Sequence, residues 1–176
     1  ASVVKGIAQA CQKAGCALLG GETAEHPGLL APDEFDVAGA TTGVVERDEI
    51  LGPERIAEGD ALIAVASSGL HSNGYSLVRH VLLEQAGWTL DRHVDELGRT
   101  VGEELLEPTI VYAADLLALA HHSEVHAMCH VTGGGLANNL ARVMPSHLTA
   151  TIERSTWSPA PIFRLVQDVG AVSQSD

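Results

Sequence analysis

An α/β fold is predicted by three features of this 176-residue chain. Short apolar runs of strand length alternate with segments of helical period. Three of the runs end in glycine-rich polar loops, two of which open helices. The composition, 45% hydrophobic and 19% charged, is that of a chain with a core to bury rather than a disordered one. Together these features describe helices layered on a mixed sheet.

Val4, Ile7, Cys11 and Ala14 recur at helical spacing, and Gly15 is a natural stop. The run 16–19 reads as a strand leading into a first loop, Gly20-Gly21-Glu22-Thr23-Ala24-Glu25-His26-Pro27-Gly28. A β-prone segment covers 35–46. The charged stretch 47–60 carries Gly52-Pro53 and Gly59 and is the expected boundary between two domains, 1–48 and 49–176. A strand over 61–66 then reaches the second loop, Ser67-Ser68-Gly69-Leu70-His71-Ser72-Asn73-Gly74. The helix after it, 75–85, places Leu77, Val78, Val81 and Leu82 on one face and ends near Gly87.

Residues 88–108 read as irregular apart from a short helix near 101–106. Pro108 then opens a helix in which Ile110, Ala114 and Leu117 share a face. A strand over 125–129 leads to the third loop, His130-Val131-Thr132-Gly133-Gly134-Gly135, and to a helix bearing Leu136, Leu140 and Val143. A strand near 148–153 and a helix near 161–169 complete the pattern. No internal repeat is visible.

A formal net charge of −13 argues against a nucleic-acid surface, and 3% aromatic residues are too few for a single-strand stacking platform. The same charge repels phosphates, so a phosphate site must rely on glycine amides, a few cations or a metal ion. No apolar run approaches a membrane span, and no charged-then-apolar leader opens the sequence. The abrupt start in a helix and the abrupt stop at 173–176 suggest a fragment. Cys11, Cys16 and Cys129 lack CxxC spacing and sit among apolar neighbours, so buried reduced thiols in a cytosolic protein are expected.

Glycine lets backbone N–H groups approach an anion, and a following helix adds its positive end. In the second loop, Ser72 or Asn73 could serve as a helix N-cap. That reading leaves His71 unexplained at a strand end, where α/β ligands bind. His71 could hydrogen-bond a phosphoryl oxygen or move a proton. The third loop lacks the lysine of a Walker loop and is equally readable as a tight packing turn. His130 fits better as a strand-end core histidine. Glu22 and Glu25 flank Thr23 as carboxylates able to hold Mg²⁺, although a solvated acidic turn is the commoner fate. His121, His122 and His126 lack zinc spacing. There is no Gly-x-Ser-x-Gly elbow and no cysteine beside a base, so nucleophilic hydrolysis is a poor reading.

Taken in order, four motifs are recognisable: Gly20 to Glu25 with Pro27-Gly28; Ser67 to Arg79; Leu106-x-Pro108-Thr109 with Tyr112; and His130-x-Thr132-Gly133-Gly134-Gly135 with Asn139. Together they resemble the aminoimidazole ribonucleotide synthetase (phosphoribosylformylglycinamidine cyclo-ligase) family, over essentially the whole chain. The resemblance implies the tail of an N-terminal, dimerising, ATP-binding domain and most of a C-terminal domain, with the site between them. It implies ATP- and Mg²⁺-dependent ring closure of formylglycinamidine ribonucleotide in purine biosynthesis, in a cytoplasmic homodimer. By motif, Glu22 would lie at the metal, with Gly20, Gly21 and Thr23 at the phosphates. His71, Ser68, Gly69, Ser72 and Asn73 would contact substrate or transferred phosphate, and Thr132 and Gly133 to Gly135 would form a second cradle. The family's upstream lysine segment and aspartate-glycine loop are not in this sequence, so inactivity of the chain alone is expected. A related kinase or selenophosphate-forming enzyme, or a non-catalytic phosphate-binding fragment, are the alternatives.

Overall fold

The computed structural model describes residues 2–31 and 33–173. Its order begins with α1 (Ser2–Ala14), followed by an extended stretch with two 3₁₀ turns, Arg47–Glu49 and Pro53–Arg55. Then come α2 (Tyr75–Arg79), which runs on into a π-helical turn (His80–Gln85), the strands β1 (His93–Val94) and β2 (Arg99–Thr100), and α3 (Val101–Leu105). The remaining helices are α4 (Ala113–His122), α5 (Gly135–Ala141) and α6 (Pro161–Gly170), with a 3₁₀ turn at Arg154–Thr156.

The core lies where α6 packs on the π-helical turn and on the short hairpin. Val78, Val81, Leu82, Val94, Val101, Ile162 and Val166 are buried there, with Trp88, Leu97 and Leu165 packed around them. Of the apolar face expected on 75–85, Val78, Val81 and Leu82 turn inward, while Leu77 stays exposed. Gly170 permits the close contact of α6 with this face, because a Cβ there would lie 2.7 Å from Val81 Cγ2. Pro161 starts α6 at the one position where its missing N–H costs nothing.

Within the stretch expected to be irregular, β1 and β2 pair antiparallel, His93 opposite Thr100 and Val94 opposite Arg99. Thr100 then caps α3. Its hydroxyl accepts the Glu103 N–H at 3.2 Å, while the Glu103 carboxylate accepts the Thr100 N–H at 2.8 Å. This reciprocal pair satisfies two donors that a helix start otherwise leaves open.

Three expectations are corrected. The runs 16–19, 35–46, 61–66, 125–129 and 148–153 form no ladder among the described residues, whose one sheet is the β1–β2 pair. A strand exists through a partner's ladder of hydrogen bonds, and these runs have no such ladder; Ile63, for example, remains 80% exposed. The helix expected from Pro108 begins instead at Ala113, because 108–112 is drawn against the second loop. The thiols are not buried: Cys16 is exposed, and Cys11 and Cys129 are half-buried.

Leu82 is fully enclosed, so Leu82→Ala should cost about 2–5 kcal/mol and Ile162→Val about 0.5–1.5 kcal/mol. Urea denaturation of the two variants checks this. A loss under ~1 kcal/mol for Leu82→Ala would show that this cluster is not the core.

Candidate loop site

The second loop is built against the segment that follows α3. The Ser68 hydroxyl donates to the Pro108 carbonyl at 2.8 Å, and Ser72 Oγ lies 3.5 Å from Thr109 Oγ1. From the other side, Tyr112 O–H donates to the Ala66 carbonyl and Tyr75 O–H to the Leu105 carbonyl, each at 2.7 Å. The structure thus brings together two separate sequence motifs, 67–79 and 106–112.

His71 is the residue this loop is folded around. Its Nε2 accepts the Ser68 backbone N–H at 3.0 Å, and its ring lies 6.0 Å from that of Tyr112. A backbone N–H can only donate, so Nε2 is bare and the ring's proton sits on Nδ1. His71 also holds a left-handed backbone, φ 56°, which is unusual for a residue with a side chain. Neither Ser72 nor Asn73 caps α2; the N-cap is Gly74, with no side-chain bond. Ser72 and Asn73 are exposed, and the Asn73 amide has no partner among the described residues.

Beneath the loop lies Glu104, 7% exposed. Gly69 is buried at φ 151°, and a Cβ there would come within 3.4 Å of Glu104 Oε1. Arg99 Nε donates to Glu104 Oε2 at 2.7 Å, its Nη2 lies 2.6 Å from the same oxygen, and its Nη1 reaches Glu107. One planar guanidinium thus joins two carboxylates through fixed donor positions. Burial first, and the Glu104 charge second, push the Tyr75 phenol above its ordinary value. Tyr75 therefore stays an O–H donor to Leu105.

The third loop is closed by Asn139, 2% exposed. Asn139 Nδ2 donates to the Gly135 carbonyl at 2.7 Å, and the Thr132 hydroxyl donates to Asn139 Oδ1 at 3.0 Å. Gly134 sits so close that a Cβ would lie 2.9 Å from Asn139 Nδ2, whereas Gly133 faces open space. Packing thus accounts for Gly134 but not for Gly133. His130 is exposed, which corrects the expectation of a core histidine.

The first loop is exposed throughout, Gly20, Gly21, Glu22, Thr23, Glu25 and His26 included. Its hydrogen bonds are local, from the Leu29 and Leu30 N–H groups to the His26 carbonyl. No bond joins it to the other loops among the described residues. Nor do the described residues gather three His, Cys, Asp or Glu side chains in an arrangement able to hold a metal ion.

Two charged clusters stand outside the pairings expected from the sequence. One is Arg99–Glu104–Glu107; the pattern Thr100-x-x-Glu103 marks the start of its helix. The other is His126, whose Nδ1 lies 2.6 Å from Asp60 and whose Nε2 lies 3.3 Å from Glu124. With the Gly52 N–H donating to the His126 carbonyl, it fastens the 52–60 segment to the run at 124–129. No spacing signal links positions 66 residues apart.

Helices, a small sheet and glycine turns lined by hydroxyls and amides define an α/β protein whose candidate site has neither an activated nucleophile nor a metal cluster among the described residues. The comparisons narrow that class. Residues 57–174 match the family described as AIR synthase related protein, C-terminal domain, and residues 1–45 match its N-terminal domain counterpart. The chain belongs to the AIR synthase related family, whose domains are α/β. It is 49% identical over 175 residues to the phosphoribosylformylglycinamidine cyclo-ligase of Brevibacillus brevis, covering 99% of this chain and 51% of that protein. Identity is 48%, with the same coverage, to the proteins of that name from Bacillus thuringiensis (strain Al Hakam) and Bacillus cereus (strain AH820). The chain therefore spans about half the length of the curated relatives it matches.

Two outcomes test this geometry. Asn139→Ala removes both bonds that close the third loop and should cost about 1–3 kcal/mol, read by urea denaturation. The second concerns pH. The bond to Asp60 foremost, then that to Glu124, raises the His126 pKa above its ordinary 6.5, and the bond from His126 foremost lowers that of Asp60 below 3.8. The raised histidine contributes fully below pH 6.5 and loses its contribution as pH rises through its folded value; the lowered carboxylate contributes fully above 3.8 and loses it as pH falls through its own. The clamp is thus at full strength between these ordinary values. The stability gap between the native protein and His126→Gln should be widest near pH 5 and narrow towards pH 9; an equal gap at both would rule the clamp out.

Proposed function

We propose that this chain supplies the loop wall of an ATP-dependent cyclo-ligase that closes formylglycinamidine ribonucleotide to aminoimidazole ribonucleotide, in a cytoplasmic homodimer. The observation that carries the reading is identity of 48–49% along 99% of the chain to proteins named as that cyclo-ligase. The docking of 67–74 on 106–112 supports it, because it gathers motif residues into one rigid surface. In the proposed reaction the formyl amide oxygen takes a phosphoryl group and ADP leaves. A nitrogen of the same substrate then attacks the activated carbon, the C–O bond breaks, phosphate departs and the nitrogen loses its proton. Such chemistry depends on positioning and on donors aimed at developing charge.

His71 fits a donor's role. Ser68 occupies Nε2, so Nδ1–H is the group left for a phosphoryl oxygen. The exposed side chains of Ser72, which also meets Thr109, and of Asn73 follow it, while Ser68 and Gly69 hold the loop's shape. Thr132 and Gly133 to Gly135 form the second cradle, with Gly133 offering the open backbone. Gly20, Gly21 and Thr23 face solvent, where they are free to receive phosphates. Mg²⁺ is commonly held by one or two carboxylates together with phosphate oxygens, so Glu22 fits as a single ligand and not as a complete site. When bound, the ion would neutralise phosphate charge. The domains are divided near residues 48 and 49, and the chain alone is inactive because it carries only one wall.

ADP release by the full-length protein is the test, with and without formylglycinamidine ribonucleotide. Release that depends on this substrate is expected; substrate-independent release, or none, overturns the reading. His71→Ala should lower turnover about a hundredfold. His71→Asn, which keeps a donor and tolerates the left-handed backbone, should lose much less. Equal losses in the two variants would assign His71 to proton transfer instead.

A further inference from the structure

The last turn of α1 places two thiols side by side. The Gly15 N–H donates to the Gln12 carbonyl at 3.2 Å and the Cys16 N–H to the Cys11 carbonyl at 3.0 Å. With Gly15 at φ 72°, this paired closure is the Schellman motif. Its geometry brings the side chain after the glycine against one in the preceding turn, a place that apolar residues commonly fill. Here both positions are cysteine. Cys16 Sγ lies 3.6 Å from the Cys11 carbonyl oxygen, and both thiols are unbridged. Burial first, and neighbouring Cys16 second, raise the Cys11 thiol above its ordinary value. Cys16 is the exposed member of the pair.

We propose that Cys11 and Cys16 form a dithiol site that closes to an intramolecular disulfide by exchange with a small-molecule disulfide. Cys16 loses its proton to solvent, and its thiolate attacks one sulfur of the oxidant. The oxidant's S–S bond breaks, and the departing thiolate takes up a proton. Cys11 then gives up its proton and attacks the Cys16 sulfur. The mixed disulfide breaks and the second thiol leaves, so one oxidant disulfide becomes two thiols as one protein disulfide forms. The roles follow from exposure: the accessible thiol meets the oxidant, and the more protected one resolves the adduct. The bridge pins the turn from which residues 16–19 carry the chain to Gly20, so the thiol state bears directly on the first glycine loop. The arrangement depends on a single helix end and not on the catalytic reading above.

Oxidised glutathione is the probe. The native protein is treated with it, remaining thiols are alkylated, and the chain is cleaved after Lys and Arg without reductant. Cleavage after Lys13 parts the two cysteines, so a bridge shows as peptides 6–13 and 14–47 held together. That linked pair should be the main oxidised product, with Cys129 outside it. Gly15→Val keeps both thiols but disfavours the left-handed turn, and should slow bridging about tenfold. Gly15→Asn, which accepts that backbone, should bridge at nearly the native rate. A lasting glutathione adduct on Cys16, a bridge to Cys129, or bridging in Gly15→Val as fast as in the native protein would each overturn the proposal.

Discussion

The pairing of Arg99 with Glu104 is the interaction on which the candidate site rests. A carboxylate that is 7% exposed cannot be left uncompensated, since an unpaired buried charge destabilises strongly. Arg99 donates to it from Nε, sets Nη2 against the same oxygen and reaches Glu107 with Nη1, which ties β2 to the end of α3 and to the turn that follows. That turn carries the Leu105 and Pro108 carbonyls, the acceptors for Tyr75 and Ser68. Gly69 lies over the same carboxylate at a distance that leaves little room for a side chain. The second loop therefore inherits its shape from a charge pair below it and from backbone carbonyls beside it. Its own sequence decides only which groups are left facing out.

This division explains what could be read in advance. The helices at 2–14, 75–85, 135–141 and 161–170 were legible because period, stop and start are written locally: Gly15 after α1, Pro161 at the head of α6, and Val78, Val81 and Leu82 on one face. The Thr100–Glu103 cap is equally local, and its pattern stood in plain view. The strands were not legible in the same sense. An apolar run such as 61–66 has the composition of a strand, but a ladder needs a second segment, and composition does not name it. The helix start at Ala113 rather than Pro108 has a similar cause. Ser68, 40 residues earlier, holds the Pro108 carbonyl, and no propensity scale contains that bond.

Within the site, the residue types were legible and their duties less so. The glycine loops, His71, Ser72 and Asn73 stand out as polar groups following apolar runs. Their partners decide their roles. Asn139 belongs to the fourth motif without a stated duty, and the structure gives it one: it is buried and satisfies both Thr132 and the Gly135 carbonyl. Gly134 is accordingly a packing glycine, while Gly133 keeps its open face. From the sequence His71 could either hydrogen-bond a phosphoryl oxygen or move a proton; the Ser68 N–H on its Nε2 leaves Nδ1, a donor in the neutral ring, as the nitrogen facing other partners.

The charge of the chain bears on the same point. A net charge of −13 is a poor field for a phosphate, and the second loop stands directly above Glu104 with Glu107 close by. Arg99 holds both carboxylates and cancels one of those two charges. What the loop presents outward is then hydroxyl, amide and imidazole N–H, groups that attract an anion without carrying a charge of their own. For the reaction we propose, fixed dipoles of this kind suit a phosphoryl group that must arrive, transfer and leave, because a full set of cations would hold the product as firmly as the transition state. In an acidic chain the same outcome requires that every nearby carboxylate be paired from below. For the second loop, Arg99 holds Glu104 and Glu107 from below and offsets half of their charge.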